Sequence, residues 1–277
     1  MSRFHHSYSL ITGIVLLAFC LLPATLTEML HGGHAPAIDI AHRYAGPSLD
    51  HLLGTDPFGR DLANYVFTGA FNSVMLALMA VALSTVGGSL LGLLAATRNA
   101  TGSLIMRVAD LGLAFPPILI AALLVTALGA SATGEILAIA LFGIPGQIRI
   151  TRQAAQSVLI LDFIAAARMS GQRTPSIIMR HVLPNIAPIL IVHASTSVAL
   201  ALLSEAGLSY LGLGAPPPRP DLGRALASYQ IHIFDHPFLV AVPGVIIMLL
   251  VLGFNLLGDG LRDLLERPLT RAKAAQQ

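Results

Sequence analysis

Apolar residues run along this chain in long blocks, and charged residues gather between the blocks. A helix needs about 20 apolar residues to cross a hydrocarbon core of about 30 Å. Six stretches are candidates by that measure: 9–26, 69–97, 103–128, 135–150, 185–206 and 237–261. The fourth is short and interrupted by Pro145-Gly146, and Pro116-Pro117 is expected to bend or break the third. The blocks are continuous, without the two-residue alternation of a membrane β-barrel, so helices are predicted throughout. The expected fold class is all-α: a polytopic membrane protein with six transmembrane helices.

Basic residues give the orientation. With the N-terminus inside, that side receives Arg3, Arg98, Arg107, Arg149, Arg152, Arg168, Arg173, Arg180, Arg262, Arg267, Arg271 and Lys273. The other side receives Arg43, Arg60, Arg219 and Arg224. The positive-inside rule then predicts two cytoplasmic termini in a multi-pass protein of the bacterial inner membrane. Two connections exceed what joining spans requires: 27–68 outside, with five acidic residues, and 151–184 inside, with the densest arginines.

Composition agrees with a bilayer as solvent. Charged residues make up 11% and hydrophobic ones 55% of the 277, with mean hydropathy +0.76, against about 25% charged in soluble domains. The net charge of +2 comes from scattered residues, which gives a nucleic-acid partner little support. Cys20 is the only cysteine, so no intrachain disulfide forms, and it reads as a small hydrophobe. The apolar run after Arg3 lacks a clean small-residue cleavage site and is read as a retained first span.

The inner loop carries the most information. Asp162 to Met169 favours a helix, Gly171 can end it, and a second short helix from Pro175 to Val182 is expected to lead into the membrane at Pro184. From local cues alone, the hairpin could equally be an interfacial amphipathic element without a partner. The segment resembles the "EAA" loop of binding-protein-dependent ABC importers: Glu-Ala-Ala, three residues, Gly, nine residues, Ile-x-Leu-Pro. Ala166, Ala167, Gly171, Leu183 and Pro184 fall in register, with Ala165 at the Glu position and His181 at the Ile position.

Three further segments carry the same resemblance. His51 to Asp61 is similar to the "LGTDxxGRD" motif of the dipeptide, oligopeptide and nickel permease group, through Gly54, Thr55, Asp56, Gly59, Arg60 and Asp61. Gly207 to Gly214 resembles its "LSFLGLG" segment, and Asn255 to Asp263 its "NLLGDxLRD" ending. The resemblance implies a C-type subunit with the type I ABC importer permease fold and a cytoplasmic coupling helix. Its implied partners are a homologous B-type permease, two ATPase subunits and an external solute-binding protein. The implied cargo is a dipeptide or oligopeptide, with nickel or a metal chelate as the alternative within the group. The expected division is an N-terminal helix with external segment (1–68), a permease domain (69–261) and a cytoplasmic tail (262–277).

The residues also have readings of their own. Gly54 and Gly59 permit turns closed to other residues, while Asp56, Arg60 and Asp61 can cap or pair at the mouth of the second span. Charges inside spans are costly, and Arg107 and Asp110, at i and i+3, are expected to pair with each other. Glu135, Glu205 and Asp259 lie near span ends and are read as structural. Gly88 and Gly92 form a small-xxx-small pair that can support close helix contact. The prolines from Pro216 to Pro220 should make a stiff external loop. His31, His34, His42 and His51 invite a metal reading, but without a Cys or carboxylate at ligand spacing they read as solvated.

No cofactor or catalysis is expected. The one lysine, Lys273, follows Ala272, so the chain lacks a Walker A loop, and any ATPase must be a separate chain. It has no His-Glu-x-x-His, and Gly207 to Leu211 lacks the last glycine of a nucleophile elbow. A secondary transporter is the rival on physical grounds, although it should show internal pseudo-symmetry.

Overall fold

A computed structural model of the chain describes residues 5–32, 34–97 and 100–274; the side chains of 5–7, 31 and 266–274 are not described. Expectations resting on Arg3, Arg98 and the side chains of His31, Arg267, Arg271 and Lys273 lie outside the described residues. Apart from one antiparallel bridge between Thr55 and Asp61, the described secondary structure is helical.

Among the described residues ten α-helices follow in order: α1 (His5–His31), α2 (Leu62–Ala96), α3 (Ala100–Leu113), α4 (Pro117–Leu128), α5 (Ala132–Leu159), α6 (Asp162–Met169), α7 (Thr174–Ile177), α8 (Leu183–Tyr210), α9 (Leu222–Tyr229) and α10 (Pro237–Ala274). Tyr8–Leu30, Leu62–Ala96, Thr174–Tyr210 and Pro237–Leu265 are each long and apolar enough to cross a membrane.

Of the remaining two expected crossings, the third has the break expected at Pro116-Pro117, and the fourth lacks the interruption expected at Pro145-Gly146. The third is broken: α3 and α4 meet at 96°, because Pro116 and Pro117 end one helix and start the next. The fourth is continuous, and α5 runs through Pro145 for 28 residues. It is less apolar than the other long helices because it carries Glu135, Gln147, Arg149 and Arg152. The expected division at 68/69 and 261/262 falls near or inside helices. Asp61 caps α2 one residue before Leu62, and α10 continues past Leu261 to Ala274.

In lipid, apolar burial does not drive helices together, so close packing must. The α2–α5 pair shows this. A β-carbon at Gly88 would lie 2.5 Å from Gln147 Cβ, and one at Gly92 would lie 2.6 Å from Thr151 Cβ. The two helices therefore run parallel, backbone against side chain, and α3–α4 returns the chain between them. Helices α1 and α10 are antiparallel, with Leu17 against Gly253 and Leu10 against Gly260. Cys20 is fully buried in the main core with Leu62, Val66, Val198 and Leu250.

Candidate functional site

The inner hairpin is built from its own backbone outward. Asp162 lies in the first turn of α6 and Arg168 in the last, both favourable to the helix dipole. Gly171, at φ +78°, closes the helix: Gln172 N donates to Ala167 O at 3.2 Å and Gly171 N to Arg168 O at 3.0 Å. This is the Schellman pairing, and its left-handed position favours glycine.

Helix α6 has two faces. Ile164 and Ala167 are buried with Ile177, Val182 and Ile186, against Leu93 and Ala96 of α2 and Ala155 and Val158 of α5. Ala165, Ala166 and Met169 are exposed, Met169 by 84%. Ile160, Phe163 and Met179 extend this apolar surface beside the exposed Arg168, Arg173 and Arg180. One face is thus fixed to three long helices while the other is free of this chain.

The short helix expected over Pro175 to Val182 leads into the long helix at Pro184 without interruption. Helix α7 passes through a π turn, Ile178–Val182, directly into α8, and the Leu183 N–H bonds to Ile178 O across that turn. A proline ring inside a helix clashes with the carbonyl four residues earlier, and a widened turn relieves the clash without breaking the rod. His181 packs its ring edge-on to Phe163, with centroids 6.2 Å apart, and pairs with Gln172 at 3.3 Å. Asn185 Nδ2 donates to the His181 carbonyl at 2.6 Å.

At the opposite end, 34–61 folds into a cap around Asp56, which is fully buried. Asp56 Oδ1 accepts from the backbone N–H groups of Phe58 and Arg60 at 2.8 and 2.9 Å. Its Oδ2 meets Arg60 Nη2 at 2.6 Å and accepts from Tyr229 OH of α9 at 3.0 Å. The Arg60 guanidinium also lies 4.3 Å from the centre of the Tyr65 ring. The Thr55 hydroxyl donates to the His42 carbonyl and accepts from Ala45 N. Asp61 Oδ1 accepts from Asn64 N at 2.7 Å, capping α2.

Gly54 and Gly59 both have positive φ; a β-carbon at Gly59 would fall 1.6 Å from Asp39 O. His42 and His51 each turn to a carboxylate, Asp39 at 2.7 Å and Asp61 at 2.9 Å. The hydrogen bond from His42 holds the Asp39 carboxyl below its usual range.

The membrane-level charges pair differently from expectation. Asp110 meets Arg149 of α5 at 3.4 Å, and no Arg107–Asp110 ion pair forms among the described residues. Glu205 is buried and accepts from Ser73 OH of α2 at 2.9 Å. Glu135 is buried too, with no side-chain partner for either carboxylate oxygen, near the Ala215 backbone and the charges of Asp221, Arg224 and Arg219. The proline loop is tied to α2: Asn72 Nδ2 donates to Pro220 O, and Arg219 Nη2 donates to Asn72 Oδ1, both at 3.0 Å.

A cavity of about 190 Å³ lies at the α3–α4 bend, with walls from α2, α5 and α8. It is mostly apolar, but Ser84, Gln147, His193 and Ser197 reach it. Gln147 and His193 escaped the sequence reading: a lone amide and a lone imidazole, 46 residues apart, carry no shared motif.

Residues 88–271 match the family model described as binding-protein-dependent transport system inner membrane component. A di/tripeptide transport system permease protein of Pseudomonas aeruginosa is 42% identical over 222 residues, which is 80% of this chain and 73% of that one. A dipeptide transport system permease protein of Alkalihalophilus pseudofirmus is 37% identical over 257 residues, covering 92% and 84%. The inward-facing MetNI methionine ABC transporter superposes with TM-score 0.60 at 17% identity, over 70% of this chain and 93% of that one, which supports the fold. The chain belongs to the family of inner-membrane components of binding-protein-dependent transport systems.

Proposed function

We propose that the chain is one of two homologous permease subunits of an ATP-driven importer of dipeptides or oligopeptides. An external solute-binding protein delivers the peptide, and two separate ATPase subunits power its passage. The chain crosses the inner membrane several times, with both termini and the α6 hairpin in the cytoplasm. The names of the relatives support the peptide cargo. The observation that carries the mechanism is the two-faced hairpin. Ala165, Ala166 and Met169 are open to a partner, while Ile164 and Ala167 are locked to α2, α5 and α8.

Closure of the ATPase pair on ATP would push the exposed face. The buried face would pass that displacement to the three helices that line the cavity. Coupling requires contacts at this joint to differ between the two states. Gly171, His181, Leu183 and Pro184 hold the joint's shape.

The test uses the reconstituted complex with Ala166→Asp, which places a charge on the docking face, and with Gly171→Trp at the left-handed turn. Peptide-stimulated ATP hydrolysis should be lost in both while membrane insertion persists. Undiminished stimulation in both would remove the hairpin from the mechanism.

A further inference from the structure

We propose that Gln147 and His193 form a polar subsite on the translocation path that receives the α-ammonium or another N–H donor of a passing short peptide; this rests on the peptide-importer reading above. The subsite lies about midway along both helices: His193 is near the middle of the 37-residue stretch Thr174–Tyr210 and Gln147 near the middle of the 28-residue α5. Polar side chains at that depth are costly and by default mark a path.

Their hydrogen bonds are directional. Gln147 Nε2 donates to Ser89 OH at 2.9 Å, with Thr151 OH at 3.4 Å, which leaves its carbonyl oxygen to accept. That oxygen lies 2.7 Å from His193 Nδ1. The proton of a neutral His193 ring is therefore at Nδ1, and Nε2 is left as an acceptor.

His193 is only half-buried and borders two cavities. On one side is the cavity of about 190 Å³ at the α3–α4 bend. On the other is one of about 310 Å³, bordered by Thr196 and by Asp259 and Arg262 of α10. His193 is common to both linings, so it stands between them. A mostly apolar wall with few fixed polar groups is the usual build of a small-molecule site. Helix glue alone would account for Gln147, Ser89 and Thr151, but not for an imidazole on the wall of two cavities.

The variants separate the two ring nitrogens. His193→Asn keeps an amide at the place of Nδ1 and the bond to Gln147, but removes the acceptor at Nε2. His193→Gln places an amide where Nε2 stood. In vesicles holding the full complex, His193→Asn should raise the KM for a dipeptide tenfold or more, and His193→Gln should restore most of the loss. A wild-type KM in His193→Asn overturns the subsite.

An independent arm needs no variant. A dipeptide with a photoreactive side chain, trapped in the unmodified complex with ATP and vanadate, should label this chain within a turn of Gln147 or His193. Labelling of this chain elsewhere alone overturns the proposal. Absence of any peptide uptake by the unmodified complex would strike the peptide-importer reading instead.

Discussion

Tyr229 and Asp56 show how much a single contact can hold. They are 173 positions apart, yet their 3.0 Å hydrogen bond ties α9 to the cap ahead of α2. Burial first, and then the negative charge of Asp56, pushes the Tyr229 phenol far above its ordinary range. The folded state therefore keeps a proton that the unfolded chain releases above about pH 10. Stability contributed by this group is complete below that pH and falls as pH rises through it.

Tyr229→Phe should cost about 2 kcal/mol at neutral pH, the value of a hydrogen bond to a charged group, and should flatten the alkaline loss. Thermal unfolding in detergent from pH 8 to 11.5 checks both; parallel alkaline profiles for the two proteins would contradict the account. Gly59 is the complementary case. Alanine there meets the Asp39 carbonyl and a left-handed backbone, so Gly59→Ala should lower the unfolding midpoint more than the ~1–2 kcal/mol that left-handed strain alone implies. Limited proteolysis of 34–61 should locate the damage.

Helices were legible in the chain where apolar length or a cap declared them. Asp61, Gly171 and the Pro116-Pro117 pair mark ends that the structure places at or beside those residues. Pro145 misled because an isolated proline reads as a break, whereas α5 is held on both sides of it by α2 and continues. At Pro184 the chain enters the long helix as expected, but the π turn that relieves its ring has no local sequence signature.

The small-xxx-small pair on α2 was a weak signal in an apolar run, yet Gly88 and Gly92 are where α5 makes its closest approach. Gly92→Leu should separate the pair at Thr151 and Ile148 and abolish assembly, whereas Leu83→Ala, on an exposed position of the same helix, should not. Blue-native electrophoresis of the co-expressed complex distinguishes the two. Normal assembly of Gly92→Leu would contradict the packing described.

At the scale of the whole molecule, one end is an ordered cap and the other an exposed hairpin, and between them lies a mostly apolar cavity that a few polar side chains reach. The two ends could be read from sequence because each is a local motif, closed within a few tens of residues. The middle could not, since the Gln147–His193 and Asp110–Arg149 contacts join separate helices that no local pattern pairs. The proposed mechanism requires the free face of α6 to meet the ATPase subunit.

Cys20 is buried and is the chain's one cysteine, so a thiol added at Met169 reports without competition once Cys20 is alanine. The most direct measurement is disulfide cross-linking of Met169→Cys to single cysteines on the co-purified ATPase in inverted membrane vesicles. A cross-linked pair whose yield changes when ATP is added is expected. A thiol at Met169 that reacts with impermeant reagent only from the external face, or never joins the ATPase, would contradict that mechanism.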